Sequence, residues 1–455
     1  MELSQFFFII FISSIFCNRE KLHIIDIDNP NFKGKVNDNL VFGFNNMKHG
    51  ASSPCYGLDN YYRDIFGQKW DGFCELTKKG FLQVFKLGKI FQTRFKKLLD
   101  IDHPNINKVK AYASQANKTL MSANALFYGM YINKDTPIYE QITVPVRNYK
   151  NYNGSELIPI FYYTDSSNCK GWKKIVEKNK NNKYNKINEY MDRFMKSYSN
   201  IFDLLKDDER MTNSKSLLDK INLFCSSYIS NYYDERCPKI EIFKSLNYTD
   251  QQFFDLYYDC IEFNLYKDLF IEYGYEGRRV PSTILAELVN EIIFYMDSII
   301  QNPNNITKFV SYTGHDSSMA GLQIILENAF NIPPKLINYA SNQLFLLYKV
   351  GNNEQNIEKN YKVKYFYNDQ LSATIEYNEF KKNLLNVIQN NNFLEYFCES
   401  FQPLDYVVLS LCSGIIILLV AIFSICFYHR NILFTKKVYM SLKEEPKEKS
   451  VDIKN

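Results

Sequence analysis

The stretch NLVFGFNNMKHGASSP, residues 39–54, joins a short apolar run to a polar loop that contains a histidine. The apolar run at residues 39–47 has the length and composition of a buried β-strand. His49 follows it between Lys48 and Gly50, and the chain has only five histidines in total. The carboxyl ends of strands are where open α/β sheets bind their ligands. The stretch therefore predicts a strand that leads into a functional loop.

Strand and helix patterns alternate after this loop. The segment from residue 76 to residue 100 has apolar side chains at helical spacing, lysines on the opposite face and Thr77 as a candidate N-cap. Residues 108–114 form a second candidate strand, which is followed by a helical stretch at residues 119–131. This alternation predicts an α/β fold with helices packed on a sheet.

A second histidine occupies an equivalent position late in the chain. The segment KFVSYTGHDSSM predicts a strand that ends at Thr313 and a loop that contains His315 and Asp316. A helix follows, with Ser317 or Ser318 as its predicted N-cap. The helix residues expected to face inward are Met319, Leu322, Leu326 and Phe330. Both histidines thus follow strand ends, where a ligand site is expected.

The region between about residues 165 and 300 has a different character. It is polar, rich in Lys and Asn, helical in pattern and without strand alternation. It predicts a smaller helical cap inserted into the α/β domain. The complete expectation is a doubly wound, mostly parallel sheet that is flanked by helices and covered by this cap.

Composition excludes several classes of protein. The chain has 455 residues, of which 46% are hydrophobic and 16% aromatic, as expected of a globular protein and not of a disordered one. Its 54 Lys and Arg residues against 50 Asp and Glu give a net charge of only +4. This balance gives no indication of nucleic-acid binding.

Both ends of the chain are apolar. The N-terminal run at residues 6–16 has the length of a signal-peptide core, although no basic residue precedes it, and an uncleaved anchor is the alternative. The run Tyr406–Tyr428 is uncharged and long enough to span a bilayer. Basic residues follow it, which places the tail in the cytoplasm. The predicted organisation is a signal peptide, an ectodomain, a transmembrane helix and a cytoplasmic tail, at residues 1–18, 19–404, 405–428 and 429–455.

The ectodomain carries the marks of an oxidising compartment. Four Asn-X-Ser/Thr triplets are candidate glycosylation sites, at Asn117, Asn153, Asn247 and Asn305. Seven cysteines lie in the ectodomain, where pairing is expected: Cys55, Cys74, Cys169, Cys225, Cys237, Cys260 and Cys398. The tail contains YMSL at residues 439–442, a pattern that resembles an endosomal and lysosomal sorting signal. We therefore expect a single-pass type I membrane protein of the lysosome, endosome or cell surface.

Several ordered motifs now resemble one known family. KHGASSP at residues 48–54 is similar to the R-H-G-x-R-x-P signature of the histidine acid phosphatases, and His315-Asp316 matches their His-Asp pair. WDGFCELTKKG, from residue 70, and NKTLMSA, from residue 117, resemble two further family segments. The resemblance covers roughly residues 36–400 and is weakest in the cap. The single span and tyrosine tail also resemble the lysosomal membrane-bound members.

The resemblance implies a mechanism and assigns roles to residues. His49 would attack phosphorus and form a phosphohistidine, which divides one difficult hydrolysis into two displacements. Asp316 would protonate the leaving alcohol, and His315 would bind the phosphate. The implied substrate is a phosphomonoester, either a small molecule or a phosphoprotein.

The phosphate-binding arginines of the family are missing. Lys48 and Ser52 stand where the signature has arginines, Tyr112 aligns with a third one, and Lys118 replaces a fourth basic residue nearby. The three gripping arginines are thus reduced to one cation, Lys48, which lacks a planar fork. Loss of one preorganised donor typically costs roughly 10²- to 10³-fold in rate. Two losses and one weak replacement together predict turnover lower by about 10⁴-fold, unless another basic side chain enters the site.

Other features carry less functional information. The resemblance implies no cofactor, and the His and Cys residues have no spacing typical of a metal site. It also implies a disulfide between Cys169 and Cys398, whereas the order in which Cys225, Cys237 and Cys260 pair stays open. Homodimers are common in the family. The remaining histidines match no motif: His23, His103 and His429.

Two hypotheses of function follow. The first is a membrane-anchored acid phosphatase of weak or altered activity. The second is an inactive pseudophosphatase that binds ligands at the cell surface or in endosomes. They differ in whether a lysine or arginine from elsewhere in the chain, such as Lys118 or a cap residue, lies beside His49.

Overall fold

The computed structural model describes residues 39–102, 105–132, 146–147, 169–182, 186–274, 279–352, 357–388, 418–425 and 427–430. The chain divides into two compact units, Met1–Glu399 and Ser400–Asn455, and each is described by itself. The first unit contains every residue of the predicted site. The described residues of the second unit are helical and exposed.

One sheet of seven strands organises the first unit, in the order β3-β2-β4-β1-β5-β6-β7. Apolar and aromatic residues dominate the central strands, whose side chains are almost all buried. The strands are β1 Leu40–Lys48, β2 Val109–Ala113, β3 Val146–Arg147, β4 Phe309–Gly314, β5 Asn342–Lys349, β6 Tyr361–Tyr367 and β7 Gln370–Glu376.

The sheet is mixed, and the expectation of a mostly parallel sheet is correct for only one half of it. β3, β2, β4 and β1 pair in parallel, whereas β5, β6 and β7 join β1 in antiparallel pairs. Helices lie between the parallel strands along the chain, and a tight turn links the antiparallel strands β6 and β7. That turn consists of Asn368 and Asp369, both with positive φ, as two-residue hairpin turns require.

Helices account for most of the remaining described residues. Those before the long central region are α1 Lys78–Leu99 and α2 Asn117–Tyr131. The central region contains α3 Lys170–Lys180, α4 Lys186–Ser197, α5 Ser199–Leu204, α6 Glu209–Asn213, α7 Leu217–Tyr233, α8 Glu241–Ser245, α9 Asp250–Lys267, α10 Arg279–Ile284 and α11 Ala286–Gln301. A π-helical turn, Asp268–Glu272, extends α9. The last helices are α12 Asp316–Phe330 and α13 Tyr377–Val387.

Helices α1 and α2 cover one face of the sheet. The apolar positions of α1 recur at helical spacing, so Val84, Leu87, Phe91 and Phe95 all face the sheet and are buried. Thr77 caps the helix by accepting a hydrogen bond from the amide of Gly80. The predictions of this helix and its N-cap are therefore confirmed.

The central region is helical, as predicted, but its last helix does not belong to a cap. No strand occurs among the described residues of the region from Lys170 to Gln301. Within α11, however, Tyr295 packs on Phe42 of β1, with ring centroids 6.1 Å apart, and its hydroxyl contacts β2. This helix is part of the layer on the second face of the sheet. The cap is therefore shorter at its carboxyl end than residue 300.

The predicted strands and helices around both histidines are present. One detail is wrong: the N-cap of α12 is His315, two or three residues earlier than the predicted Ser317 or Ser318. The helix starts earlier because Asp316 already has helical geometry and takes the first position. Met319, Leu322 and Leu326 are buried as expected, whereas Phe330 is half-buried and stacks on Phe380.

Disulfides join Cys55 to Cys74 and Cys225 to Cys260, which leaves Cys237 as a buried free thiol. Cys169 is disulfide-bonded, and its predicted partner Cys398 lies outside the described residues. Of the candidate glycosylation sites, Asn117 and Asn247 are exposed, Asn305 is half-buried and Asn153 is outside the described residues.

The predicted signal peptide, most of the predicted span and nearly all of the tail lie outside the described residues. So do His23 and His103, whereas His429 is described and exposed. Among the residues that are described, no helix combines the length and the apolar character that crossing a membrane requires.

A close approach of two backbones fixes the histidine loop against α1. A Cβ on Gly80 would lie 2.0 Å from the carbonyl oxygen of Ala51, and one on Gly50 would lie 2.3 Å from the carbonyl oxygen of Gly80. The amide of Thr77 also donates to the carbonyl of Ala51, at 2.9 Å. Glycine at both positions therefore lets the loop lie directly on the start of the helix.

We expect Gly80→Ala to destabilise the protein by about 1–3 kcal/mol, because the new methyl group would overlap the Ala51 carbonyl. Without that close approach, the same change inside a helix would stabilise it by about 0.5–1 kcal/mol. Urea denaturation of the purified protein distinguishes the two signs. Lys78→Ala, at an exposed position in the same turn, is the control. A midpoint for Gly80→Ala above that of the unsubstituted protein would contradict the prediction.

Candidate active site

Two neighbouring parallel strands bring the two histidines together. In the register of β1 and β4, Lys48 is paired with Gly314, so both strands end at the same level. His49 and His315 are the next residues, and their ring centroids lie 5.5 Å apart in an edge-to-face arrangement. The amide of His49 donates to the carbonyl of Gly314 at 3.1 Å, which continues the strand pairing into the site.

The geometry of His49 defines which nitrogen is available for reaction. Its Nδ1 lies 2.8 Å from the carbonyl oxygen of Gly50, which can only accept a hydrogen bond, so Nδ1 carries the proton. Nε2 therefore holds a lone pair. Burial lowers the pKa of His49 well below its usual value, and the charges of Lys118, His315 and Lys48 lower it further. The ring is thus neutral and nucleophilic even at mildly acidic pH.

Lys48 connects the two halves of the site. Its Nζ lies 3.2 Å from Oδ2 of Asp316 and 5.0 Å from the ring centre of Tyr339. The lysine side chain is 6% exposed and the aspartate side chain 30% exposed, so only the aspartate reaches solvent. The ion pair joins the end of β1 to the start of α12.

Asp316 is ionised in this arrangement. Burial disfavours the charged carboxylate, but Lys48, Lys267 and the two histidines outweigh burial and hold the pKa of Asp316 well below its usual range. Its position in the first turn of α12 also favours negative charge, because the helix dipole is positive there. A proton on Asp316 therefore requires additional negative charge nearby.

His315 is held by the end of β2. Its Nε2 lies 3.0 Å from Oγ of Ser114, which in turn lies 2.8 Å from Oγ1 of Thr119. Ser114 also lines the cleft. This serine is a site residue that the sequence motifs did not indicate.

The structure does not place Tyr112 in the cleft. Its ring stacks on Tyr312 with centroids 4.7 Å apart, and its hydroxyl lies 3.3 Å from that of Tyr295. Both contacts lie on the sheet. The chain reaches the cleft two residues later, at Ser114, just after the end of β2. The assignment of Tyr112 as a phosphate-binding residue is therefore wrong, and the aligned arginine position has no side chain in the cleft.

Ser52 does line the cleft, together with Lys48, His49, His315 and Asp316. It is buried and forms an isolated antiparallel bridge with Leu76, just before α1. Its hydroxyl is small and uncharged, so it provides hydrogen bonding without charge neutralisation. The cleft has a volume of about 730 Å³.

Lys118, in the first turn of α2, is a second cation of the cleft. It is buried, and its Nζ lies 2.9 Å from Sγ of Cys55 and 3.0 Å from Sγ of Cys74. The disulfide between these cysteines also lines the cleft. Burial lowers the pKa of Lys118 to about 8, although the negative charge of Asp316 acts in the opposite direction. The lysine is therefore charged at acidic and neutral pH and rests on the disulfide.

The cap contributes further cations that the sequence motifs did not reveal. Lys267, at the end of α9, and Lys180, at the end of α3, both line the cleft. Burial acts to lower the pKa of Lys267, but Asp268, Asp316 and nearby groups raise it above the usual value, so Lys267 is charged. The estimate of one remaining cation is therefore too low, since Lys48, Lys118, Lys180 and Lys267 all reach the cleft.

The loop between Cys55 and Cys74 is fastened to the cap. Asp64 accepts hydrogen bonds from Trp70 at 2.9 Å and from Asn231 of α7 at 2.6 Å. Arg210 of α6 donates to three carbonyl oxygens of the same loop. The disulfide that supports Lys118 thus lies in a segment held from both the sheet side and the cap side.

No group of three or more His, Cys, Asp and Glu side chains suited to a metal ion occurs among the residues that the structure describes.

An α/β sheet with paired histidines at two strand ends, an aspartate beside one of them and lysines around the cleft defines a class of phosphate-handling folds. The chain belongs to the histidine phosphatase superfamily, branch 2, whose family model matches residues 29–368.

Curated relatives agree with this membership. The lysosomal acid phosphatase of Xenopus laevis is 26% identical over 312 residues, which cover 66% of this chain and 64% of the relative. The prostatic acid phosphatase of Bos taurus is 23% identical over 312 residues, covering 66% of this chain and 72% of the relative. The match thus spans a little under two thirds of the frog protein's own length.

Solved structures agree on the fold. The apo form of Hafnia alvei phytase is similar with a TM-score of 0.52 and 13% identity, covering 77% of this chain and 97% of the other. Citrobacter braakii phytase gives a TM-score of 0.51, also at 13% identity, covering 77% and 98%. At this level of identity the similarity concerns the fold alone.

We expect anion binding to weaken as the pH rises through about 8, because Lys118 loses its charge there. Sulfate suits the measurement, since it stays dianionic between roughly pH 6 and pH 10 while the lysine titrates. Isothermal titration of sulfate should give a dissociation constant that rises near pH 8 in the unsubstituted protein.

In Lys118→Arg the guanidinium keeps its charge, so that rise should disappear. In Lys118→Met the affinity for sulfate should be low at every pH, because the lysine charge is absent throughout. The same pH dependence in all three proteins would rule out Lys118 as its source.

Proposed function

We propose that this protein hydrolyses phosphomonoesters through a phosphohistidine at His49. The observation that carries the proposal is the fixed tautomer of His49, whose Nδ1 donates to Gly50 and leaves Nε2 unprotonated. A neutral, buried imidazole with a free Nε2 is the form that attacks phosphorus. Family membership supports a phosphatase reaction of this type.

In the first step, Nε2 of His49 attacks phosphorus and the bond from phosphorus to the alcohol oxygen breaks. Asp316 donates a proton to the departing oxygen. Asp316 is ionised in the free site, so the proton must be acquired with the substrate. A phosphate dianion supplies the negative charge that raises the pKa of Asp316, since it competes for Lys48.

In the second step, water attacks the phosphorus of the phosphohistidine. Asp316, now a carboxylate, accepts a proton from this water. The bond between phosphorus and Nε2 breaks, and inorganic phosphate leaves. His49 recovers its lone pair, and its proton stays on Nδ1, hydrogen-bonded to the Gly50 carbonyl, throughout.

Lysines take the place of the family's arginines in holding the phosphoryl oxygens. Lys48 and Lys118 approach from the sheet side, and Lys267 approaches from the cap. Ser52 and His315 are proposed to add hydrogen bonds. Phosphoryl transfer depends mainly on positioning and charge neutralisation, which ammonium groups supply without bidentate geometry. We therefore propose an active enzyme with slower turnover than an arginine clamp would give.

The cellular location is part of the proposal. The uncharged run Tyr406–Tyr428 is proposed to anchor the protein in a membrane, with the catalytic unit on the luminal or extracellular side. The disulfides of Cys55 and Cys225 support that side, because such bonds persist in oxidising compartments. The similarity to a lysosomal acid phosphatase also supports that side.

The first test is hydrolysis of an aryl phosphate from acidic to neutral pH by the purified full-length protein. His49→Ala should lower kcat/KM by at least about 10³-fold, because the nucleophile is removed. His429→Ala, at an exposed histidine, should leave it unchanged. An acid-labile phosphoenzyme should form in the unsubstituted protein and not in His49→Ala.

Lys267→Met should lower kcat/KM by roughly 10²-fold, as expected for removal of one preorganised charge. Lys173→Met, an exposed lysine of the cap, is the matched control. Equal background hydrolysis in the unsubstituted and His49→Ala proteins would overturn the proposal. A binding protein that retains the fold without catalysis would then be the better description.

Removal of the predicted anchor should release the protein. In secretory cells that express the full chain, we expect it in the membrane pellet after alkaline carbonate extraction. A chain that ends at residue 404 should appear in the medium, because the apolar run is gone. Retention of the shortened chain in the pellet would contradict the assignment of the anchor.

A further inference from the structure

The cap wall of the cleft contains an unusual helical turn. After α9, the backbone continues as a π-helix over Asp268–Glu272, a geometry that is rare and often occurs at functional sites. This turn packs against α12, the helix that begins with Asp316. The hydroxyl of Tyr273 donates to the carbonyl of Ser317 at 2.8 Å, and Trp172 donates to the carbonyl of Glu272. The wall is therefore held firmly beside the His-Asp pair.

Asp268 is a buried carboxylate at the edge of the cleft. Its side chain is only 2% exposed, yet the residue lines the cleft. Oδ1 lies 3.9 Å from Nζ of Lys267. Oδ2 is buried and has no hydrogen-bond partner. Buried charged oxygens are normally paired, so this atom is suited to a donor that a ligand brings.

The local charges favour a positively charged donor. Asp268, Glu272 and Asp316 converge on this end of the cleft, and the lysines that face Asp268 are Lys267 and Lys48. Burial raises the pKa of Asp268 well above its usual range, with Asp316 as the next cause, despite both lysines. Three carboxylates thus face two lysines at this end of the cleft, so one further cation would balance the charge around Asp268.

The proposed reaction fixes which part of the substrate lies here. The phosphoryl group must contact Nε2 of His49, and the alcohol oxygen must lie beside Asp316 to receive its proton. The carbon skeleton of the alcohol therefore continues from Asp316 toward the π-helical turn. Asp268 lies in this turn and lines the same cleft as His49 and Asp316, so it is placed to contact a substituent of the alcohol.

We infer that Asp268 is a specificity-determining residue that selects phosphomonoesters whose alcohol carries a protonated amine. This inference rests on the proposed function of the same site. An ammonium group donates a hydrogen bond to Oδ2 and neutralises the carboxylates together. A hydroxyl supplies only the hydrogen bond, and a carboxylate or second phosphate at this position is repelled.

Three esters of matched size test the selection: 2-aminoethyl phosphate, 2-hydroxyethyl phosphate and phosphoglycolate. With the full-length protein, kcat/KM should decrease in that order. In Asp268→Asn, the ratio of kcat/KM for 2-aminoethyl phosphate to kcat/KM for 2-hydroxyethyl phosphate should fall by roughly tenfold, because a charge-assisted contact is lost. The same ratio should be unchanged in Lys173→Met.

Binding of the isosteric phosphonates gives a second readout that needs no turnover. These are 3-aminopropylphosphonate, 3-hydroxypropylphosphonate and 3-phosphonopropionate, measured by calorimetry. Preference for the amine in the unsubstituted protein tests the inference even if Asp268→Asn fails to fold.

The outcomes separate the two proposals. Amine preference in binding without hydrolysis of any ester would overturn the proposed function and support the inference. Hydrolysis without amine preference, or with a preference that survives in folded Asp268→Asn, would overturn the inference and leave the proposed function standing. Absence of both hydrolysis and phosphonate binding would overturn both.

Discussion

The parallel pairing of β1 with β4 is the constraint on which the site depends. Because Lys48 is in register with Gly314, the next residues of both strands, His49 and His315, emerge at one edge of the sheet. The amide of His49 extends this pairing by donating to Gly314. A shift of one residue would turn the side chains to the opposite face and separate the rings. The core under this edge is therefore also what positions His49, the proposed nucleophile.

The positive charges of the cleft come from three separate segments of the chain. Lys48 comes from β1, Lys118 from α2 and Lys267 from the cap, and each has a different counterpart: Asp316, the disulfide sulfurs and Asp268. These contacts hold the ammonium groups while no phosphate is present. Lysine has a flexible stem and a compact charge, so such supports matter more for it than for a planar guanidinium. The cap thereby becomes part of the proposed phosphate site as well as its cover.

Sequence patterns predicted the strands and helices next to the histidines well. Each of these elements has regularly spaced apolar residues and a recognisable first residue. The patterns failed where tertiary packing determines how a strand pairs or where a side chain lies. The strand Asn342–Lys349 is buried almost throughout, so its alternation is hidden and its antiparallel pairing could not be inferred. Ungapped alignment assigned Tyr112 to the cleft. In the structure Tyr112 stacks on Tyr312 within the sheet, and the chain reaches the cleft two residues later, at Ser114. Lys267 carries no motif, and only the packing of α9 brings it to the cleft.

In the proposed reaction, the ionised state of Asp316 links substrate binding to catalysis. In the free site Lys48, Lys267 and the histidines keep its pKa low, so the free protein has a carboxylate where the reaction needs an acid. A phosphate dianion that pairs with Lys48 removes that stabilisation and adds repulsion, and both effects raise the pKa. After phosphoryl transfer, the negative charge resides on the phosphohistidine while Asp316 has lost its proton, which is the state needed to accept one from water. The same lysines that attract the substrate therefore also set when Asp316 gains and loses its proton.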